Sequence, residues 1–173
     1  MNVNEFNALS DEAAVSLLHS CLAVPRWVDD LLAGRPYFRA TDLLTQGRVS
    51  ASTLSANQVE TALARHPRIG EAAGDGHDRG FSEREQSGFD REDSELVAAM
   101  SRGNVDYESR FGRVFLIRAA DRAADGILSE LQRRLANTPA DELSEVVREL
   151  GEIAVLRLGQ LVEDHPTSHG KQS

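Results

Sequence analysis

The stretch that follows Pro139 constrains this chain more than any other. Thr138 and Pro139, with Asp141 three residues after the threonine, have the chemistry of a helix start: a hydroxyl cap, then a proline in the first turn. Beyond them Leu143, Val146, Val147, Leu150, Ile153, Ala154 and Leu161 recur on one face of a helix that runs to about Asp164. A helix of that length, apolar along one side only, must be covered by other elements, and the rest of the sequence offers mostly further helices.

Ser10, followed by Asp11 and Glu12, opens a helix over Ala13 to Leu22, and Pro25 opens another with Trp27, Val28, Leu31 and Leu32 that Gly34 ends. Asp42 to Val49 suggests a third. Ser55-x-x-Gln58 is a capping box for a fourth, which has to stop at Arg65 or His66 because Pro67 disfavours helix in the residue before it. Residues Gly70 to Gly80 then turn to Gly, Asp and Ala, a connecting loop rather than a domain boundary. Ser82-x-x-Glu85 is a second capping box, and Ser94 caps a longer helix with Val97, Met100, Asn104, Tyr107 and Phe111 on one face, closed by Gly112. Val114 to Ile117 is too short for a helix and reads as a buried extended run. Helices resume at Ala123 to Ala136, where Ile127, Leu128, Leu131 and Leu135 share a face. The expectation is an all-α fold: one compact multi-helix domain over residues 1–165 with a short extended segment near 114–119, followed by a frayed tail at 166–173.

Several function classes are excluded at this level. The longest unbroken apolar run, Leu96 to Met100, is five residues, against the roughly 20 that a membrane-spanning helix needs. No secretory signal pattern is visible at the N-terminus, so the cytoplasm is expected. A net charge of -9, with arginines scattered among acids, argues against a nucleic-acid partner. The single cysteine, Cys21, excludes an intramolecular disulfide and reads as a small core residue. No metal is expected: His77 with Asp75 and Asp78 lies in a loop without spaced helical ligands, and Pro166 interrupts His165 and His169. No Walker loop, GxGxxG, HExxH or nucleophile elbow is present.

Three residues stand out chemically. Arg157 falls near the centre of the apolar stripe of the last helix, where a guanidinium costs several kcal/mol to desolvate unless something answers it. Two readings stand side by side: a buried ion pair or a side chain that reaches out to solvent, and a cation that meets a substrate carboxylate or polar ring. Glu85 closes a capping box, yet the same helix N-terminus presents free amides and a partial positive charge to a ligand. His66, at a helix end before Pro67, is either a satisfied surface histidine or the natural acid-base group at neutral pH. Asn104, on an apolar stripe, reads as a buried hydrogen-bond anchor.

Taken in order, His66-Pro67-Arg68-Ile69-Gly70, Glu85-Gln86-Ser87-Gly88, Asn104-x-x-Tyr107-x-x-x-Phe111-Gly112-x-x-Phe115-Leu116-Ile117-Arg118-Ala119 and Glu152-Ile153-Ala154-x-x-Arg157-Leu158 form a series. It closely resembles the 2-oxo-4-hydroxy-4-carboxy-5-ureidoimidazoline (OHCU) decarboxylases, the enzymes of the last step from urate to (S)-allantoin, from about Ser55 to Val162. The resemblance implies an all-helical, cofactor-independent lyase, usually a homodimer, with His66, Glu85 and Arg157 at the catalytic positions. It also implies a substrate pocket lined by Pro67, by Ser82, Glu83, Arg84, Glu85 and Gln86, and by the backbone of Phe115, Leu116, Ile117, Arg118 and Ala119. A helical module that binds a ureide without turning it over is the competing reading. It would lead if two or more of the three candidate catalytic residues were replaced by apolar ones.

Overall fold

The computed structural model describes residues 1–64, 94–119 and 122–163. The Gly70 to Gly80 loop, the Ser82-x-x-Glu85 box, the end of the fourth expected helix at Arg65 or His66 and the tail lie outside the described residues. Within them are eight helices: α1 (Val3–Ala8), α2 (Asp11–Cys21), α3 (Pro25–Ala33), α4 (Ala40–Ala51), α5 (Ala56–Leu63), α6 (Ser94–Phe111), α7 (Ala124–Arg134) and α8 (Pro139–Leu161). Among the described residues there is no strand, only an isolated bridge between Asn2 and Glu163. The all-α expectation therefore holds.

Helix α1 has no counterpart in the sequence reading. Its start is a capping box with asparagine in the cap position: Asn2 Oδ1 accepts from the Glu5 amide at 3.0 Å, and the Asn2 amide donates to Glu5 Oε2 at 2.8 Å. Helix α8 stops at Leu161, short of Asp164. The Met1 amino group donates to the Leu161 carbonyl at 2.9 Å and the Glu163 amide to the Met1 carbonyl at 2.9 Å, so the chain end competes for groups that a longer helix would use.

Two apolar clusters make the core. The larger gathers the inner faces of α2 to α5 around the stripe of α8, and α4 lies along α8. Trp27 is fully buried there, with its Nε1–H donating to the Gly47 carbonyl at 2.9 Å, so its one polar atom is satisfied inside the core. The smaller cluster joins α6 to α7 through Met100, Tyr107, Ile127 and Leu131.

Residues 112–119 run between the clusters outside any helix. Side chains alternate along them: Leu116 belongs to the larger cluster, with Val114 packed against it, while Phe115, Ile117 and Ala119 belong to the smaller one. That period of two is the signature of extended backbone buried on both faces, as the sequence led us to expect.

Gly112 makes the change of direction possible. Its φ is 70°, in the left-handed region, while its amide still donates to the Glu108 carbonyl at 2.8 Å. An added Cβ would meet nothing within 4 Å, so the requirement for glycine lies in the backbone alone. We expect Gly112→Ala to destabilise the protein by about 1–2 kcal/mol, the cost of a left-handed L-residue. That corresponds to a Tm lowered by roughly 2–8 °C for a chain of this size. An unchanged Tm in calorimetry would contradict this account of how α6 ends.

Candidate active site

Arg157 is 2% exposed, so it does not reach out to solvent. Its Nη1 donates at 3.4 Å to the carbonyl of Cys21, the last residue of α2. The final carbonyls of a helix lack intrahelical partners and carry a partial negative charge, worth roughly 0.3–2 kcal/mol to a nearby cation. The helix end is thus one contribution to holding a charge whose dehydration costs several kcal/mol. Cys21 itself is a buried core residue.

The extended run reaches the same cluster, since Leu116 belongs to it together with Ile153, Ala154 and Leu158, the neighbours of Arg157 on α8. Helix α5, whose last turn precedes His66, contributes Val59, Ala62 and Leu63 to that cluster. Its Glu60 pairs with Arg113 at 3.2 Å, just ahead of the extended run. The pair, with Arg113 mostly buried and Glu60 half-exposed, sets the last turn of α5 beside residue 113.

In extended backbone, the N–H and C=O groups of alternate residues point to opposite edges. One edge here is tied to the protein: the Leu116 carbonyl accepts from Arg134 Nη1 at 2.8 Å, and the Arg118 amide donates to Glu149 Oε2 at 2.7 Å. Among the described residues, the backbone groups of Phe115 and Ile117 make no hydrogen bond, although both residues are at most 2% exposed. Buried backbone groups are nearly always paired, so this edge is distinguished from the tied one by what the described residues offer it.

Behind the tied edge lies a buried polar network. Arg134 and Glu142 are both fully buried, and Glu142 Oε1 accepts from Arg134 Nε at 2.9 Å and from the Tyr107 hydroxyl, while its Oε2 accepts from Asn137 Nδ2 at 2.8 Å. The Arg134 guanidinium also stacks over Phe115, 4.8 Å from the ring centroid. Glu149, 1% exposed, pairs with Arg148 at 2.9 Å. Burial, and then the bond to Glu142, hold the Tyr107 phenol well above its ordinary pKa.

The sequence reading missed this network although its signal was present. Arg134 follows Ile127 and Leu131 at helical spacing, and Glu142 and Glu149 are interleaved with Val146 and Ile153, just as Arg157 interrupts its stripe. Asn104, read as a buried anchor, is indeed buried at 5%.

Of the residues singled out from the sequence, Arg157, Phe115, Leu116, Ile117, Arg118 and Ala119 are described. His66, Pro67, Ser82, Glu83, Arg84, Glu85 and Gln86 lie outside the described residues. The side chain of Arg118 is not brought to the Arg157 side of α8. It lines a groove of about 470 Å³ with Leu44, Arg48, Val155 and Gly159, and the last two lie roughly opposite Arg157 at 100° per residue. Only the backbone of Arg118 faces the network. Among the described residues no group of three His, Cys, Asp or Glu side chains is placed to hold a metal ion.

A helical bundle built only to pack avoids charges in its core and open backbone edges; a domain built around a small polar ligand needs both. The chain is of this second class. The OHCU decarboxylase family pattern matches residues 7–159, and the chain belongs to that family. It is 30% identical over 181 residues to the 2-oxo-4-hydroxy-4-carboxy-5-ureidoimidazoline decarboxylase of Amia calva, an alignment covering 99% of each chain. It is 31% identical over 107 residues to the uric acid degradation bifunctional protein TTL of Arabidopsis thaliana, covering 60% of this chain and 33% of that one. In fold it is similar to an OHCU decarboxylase crystallised in the presence of (S)-allantoin, with a TM-score of 0.68 at 19% identity, covering 88% of this chain and 98% of that one. An (S)-allantoin synthase gives the same TM-score at 15% identity, covering 94% of this chain and 54% of that one.

The network carries a prediction of its own. Tyr107→Phe keeps the ring and removes one donor from a buried carboxylate, which should cost about 1–3 kcal/mol. The urea midpoint is expected to fall with an unchanged m-value; a midpoint equal to wild type would show that the Tyr107–Glu142 bond contributes nothing.

Proposed function

We propose that this protein converts 2-oxo-4-hydroxy-4-carboxy-5-ureidoimidazoline to (S)-allantoin and CO2, with residues 1–165 as the working unit. Family membership over residues 7–159 supports the reading, and one observation in the molecule carries it: a guanidinium, Arg157, buried in the core-facing stripe of α8, where the sequence resemblance implies a catalytic residue.

The substrate supplies its own electron sink, so no cofactor is required. When the bond from the hydroxyl-bearing carbon to the carboxylate breaks, its electron pair moves toward the neighbouring ring imine and CO2 leaves. The ring nitrogen that receives the pair takes up a proton, and the resulting enol-like intermediate takes another on the ureido-bearing carbon while its hydroxyl gives one up, which forms the ring carbonyl and sets one enantiomer. His66 moves protons to and from the hydroxyl or the ring. Glu85 orients the hydroxyl and the ureido N–H groups, and Arg157 supports the charge that develops on the ring. Pro67 and the stretch Ser82 to Gln86 line one side of the pocket, and the backbone of Phe115 to Ala119, through the open edge at Phe115 and Ile117, reads the flat ring from another. Such a ring presents alternating donors and acceptors, which extended backbone matches and a helix, having used its own, does not.

The test generates the unstable substrate in place from urate with urate oxidase and hydroxyisourate hydrolase, and follows optically active allantoin by circular dichroism. Rapid appearance of one enantiomer is expected, with a loss of about 100-fold or more in His66→Ala. Folded protein that does not accelerate the slow racemic route would reject the enzyme in favour of a module that only binds ureides.

We further propose that the protein works as a cytoplasmic homodimer. No helix among the described residues is long and apolar enough to cross a membrane. Light scattering should report about twice the 18.9 kDa of one chain, and a monomer at assay concentration would overturn the dimer.

A further inference from the structure

The reaction uses the open edge of the extended run, but nothing in it accounts for the charged groups buried behind the opposite edge. We propose that Arg134 and Glu149 are positioning residues for this reaction, holding the Leu116 carbonyl and the Arg118 amide so that Phe115 and Ile117 present their backbone groups to the substrate. This rests on the reading that the 115–119 backbone meets the substrate.

With no neighbouring strand among the described residues, the extended run has no ladder there to set its position along or about its own axis. Its faces are packed by apolar side chains, which resist compression but carry no directional bond. Direction comes from the two charge-assisted hydrogen bonds, 2.8 Å to the Leu116 carbonyl and 2.7 Å to the Arg118 amide. They fall on residues two apart, hence on one edge, which turns the groups of Phe115 and Ile117 to the other.

The holders are themselves held. Arg134 is fixed by Glu142, which Tyr107 and Asn137 hold in turn, and by stacking on Phe115; Glu149 is fixed by Arg148. Four elements, α6, α7, α8 and the run itself, thus meet in one rigid group. Cores that need only stability do better with apolar residues at such positions. Groups that must be held to a fraction of an ångström are what such a network provides, because misplacement by about 1 Å can cost on the order of 100-fold in rate.

The test compares Glu149→Met, which removes the acceptor for the Arg118 amide, with Glu149→Gln, which keeps an acceptor oxygen at the same reach. If Glu149 positions the run, Glu149→Met raises KM about tenfold or more and lowers the enantiomeric excess of the allantoin, and Glu149→Gln recovers much of both. A change confined to apparent kcat, with KM and enantiomeric excess as in wild type, is the mark of a lower folded fraction and would overturn the proposal.

A second measurement uses wild-type protein alone, and so does not depend on whether Glu149→Met folds. Amide exchange with and without (S)-allantoin should show the Arg118 amide protected in both states and the Ile117 amide gaining protection only with ligand. Protection of Ile117 without ligand, or a gain at Arg118 instead, would overturn the assignment of edges. A wild-type protein inactive in the coupled assay would reject the decarboxylase reading; the exchange pattern would still decide the positioning role for a binding module.

Discussion

A fully buried pairing of Arg134 with Glu142 ties the smaller apolar cluster to α8. The two side chains come from consecutive helices, and through them α7 and α8 are tied to Tyr107 on α6 and to the Leu116 carbonyl. Desolvating such a pair is costly, and its own attraction does not guarantee repayment. The additional bonds matter: Tyr107 and Asn137 both donate to Glu142, and the guanidinium rests on the Phe115 ring. Loss of any one partner leaves a charge stranded in the core, so the group behaves as a unit.

Arg134 and Arg157 show how one sequence signal covers two physical situations. Each is an arginine on the core-facing stripe of a helix, and each is at most 2% exposed. Arg134 meets a carboxylate and a carbonyl within the protein, and Arg157 donates to the carbonyl at the end of α2. Helical spacing announces that a charge is buried; only the fold says what answers it.

That division marks what was legible in the sequence. Helix starts with a hydroxyl cap, at Ser10, Ser55 and Thr138, were readable because the cap and the first turn are local chemistry. The extended run was readable from its β-branched ends and from the glycine before it. Helix α1 was not, because its box uses asparagine and is only six residues long. The true end of α8 was hidden for another reason: bonds to Met1, 160 residues away along the chain, decide it. Arg134, Glu142 and Glu149 carried the same helical-spacing signal as Arg157 but pass for surface charges unless the face of each helix is known, which is a tertiary fact.

The proposed use of the 115–119 backbone would give a reason for a break in an otherwise helical chain. A helix spends its backbone donors and acceptors on itself and leaves only its ends to read a ligand. A flat ring with a ureido arm has to be recognised along an edge, and a ladder of strands would consume both edges of each inner strand. A single extended run, released from α6 by the left-handed Gly112, packed on both faces and anchored along one edge by buried charges, leaves one edge over. Because the substrate carries its own electron sink, what the protein must supply is orientation, exclusion of water and a proton delivered to one face. On that proposal the first of these depends on how rigidly the edge is held, and the buried charges hold it through the Leu116 carbonyl and the Arg118 amide.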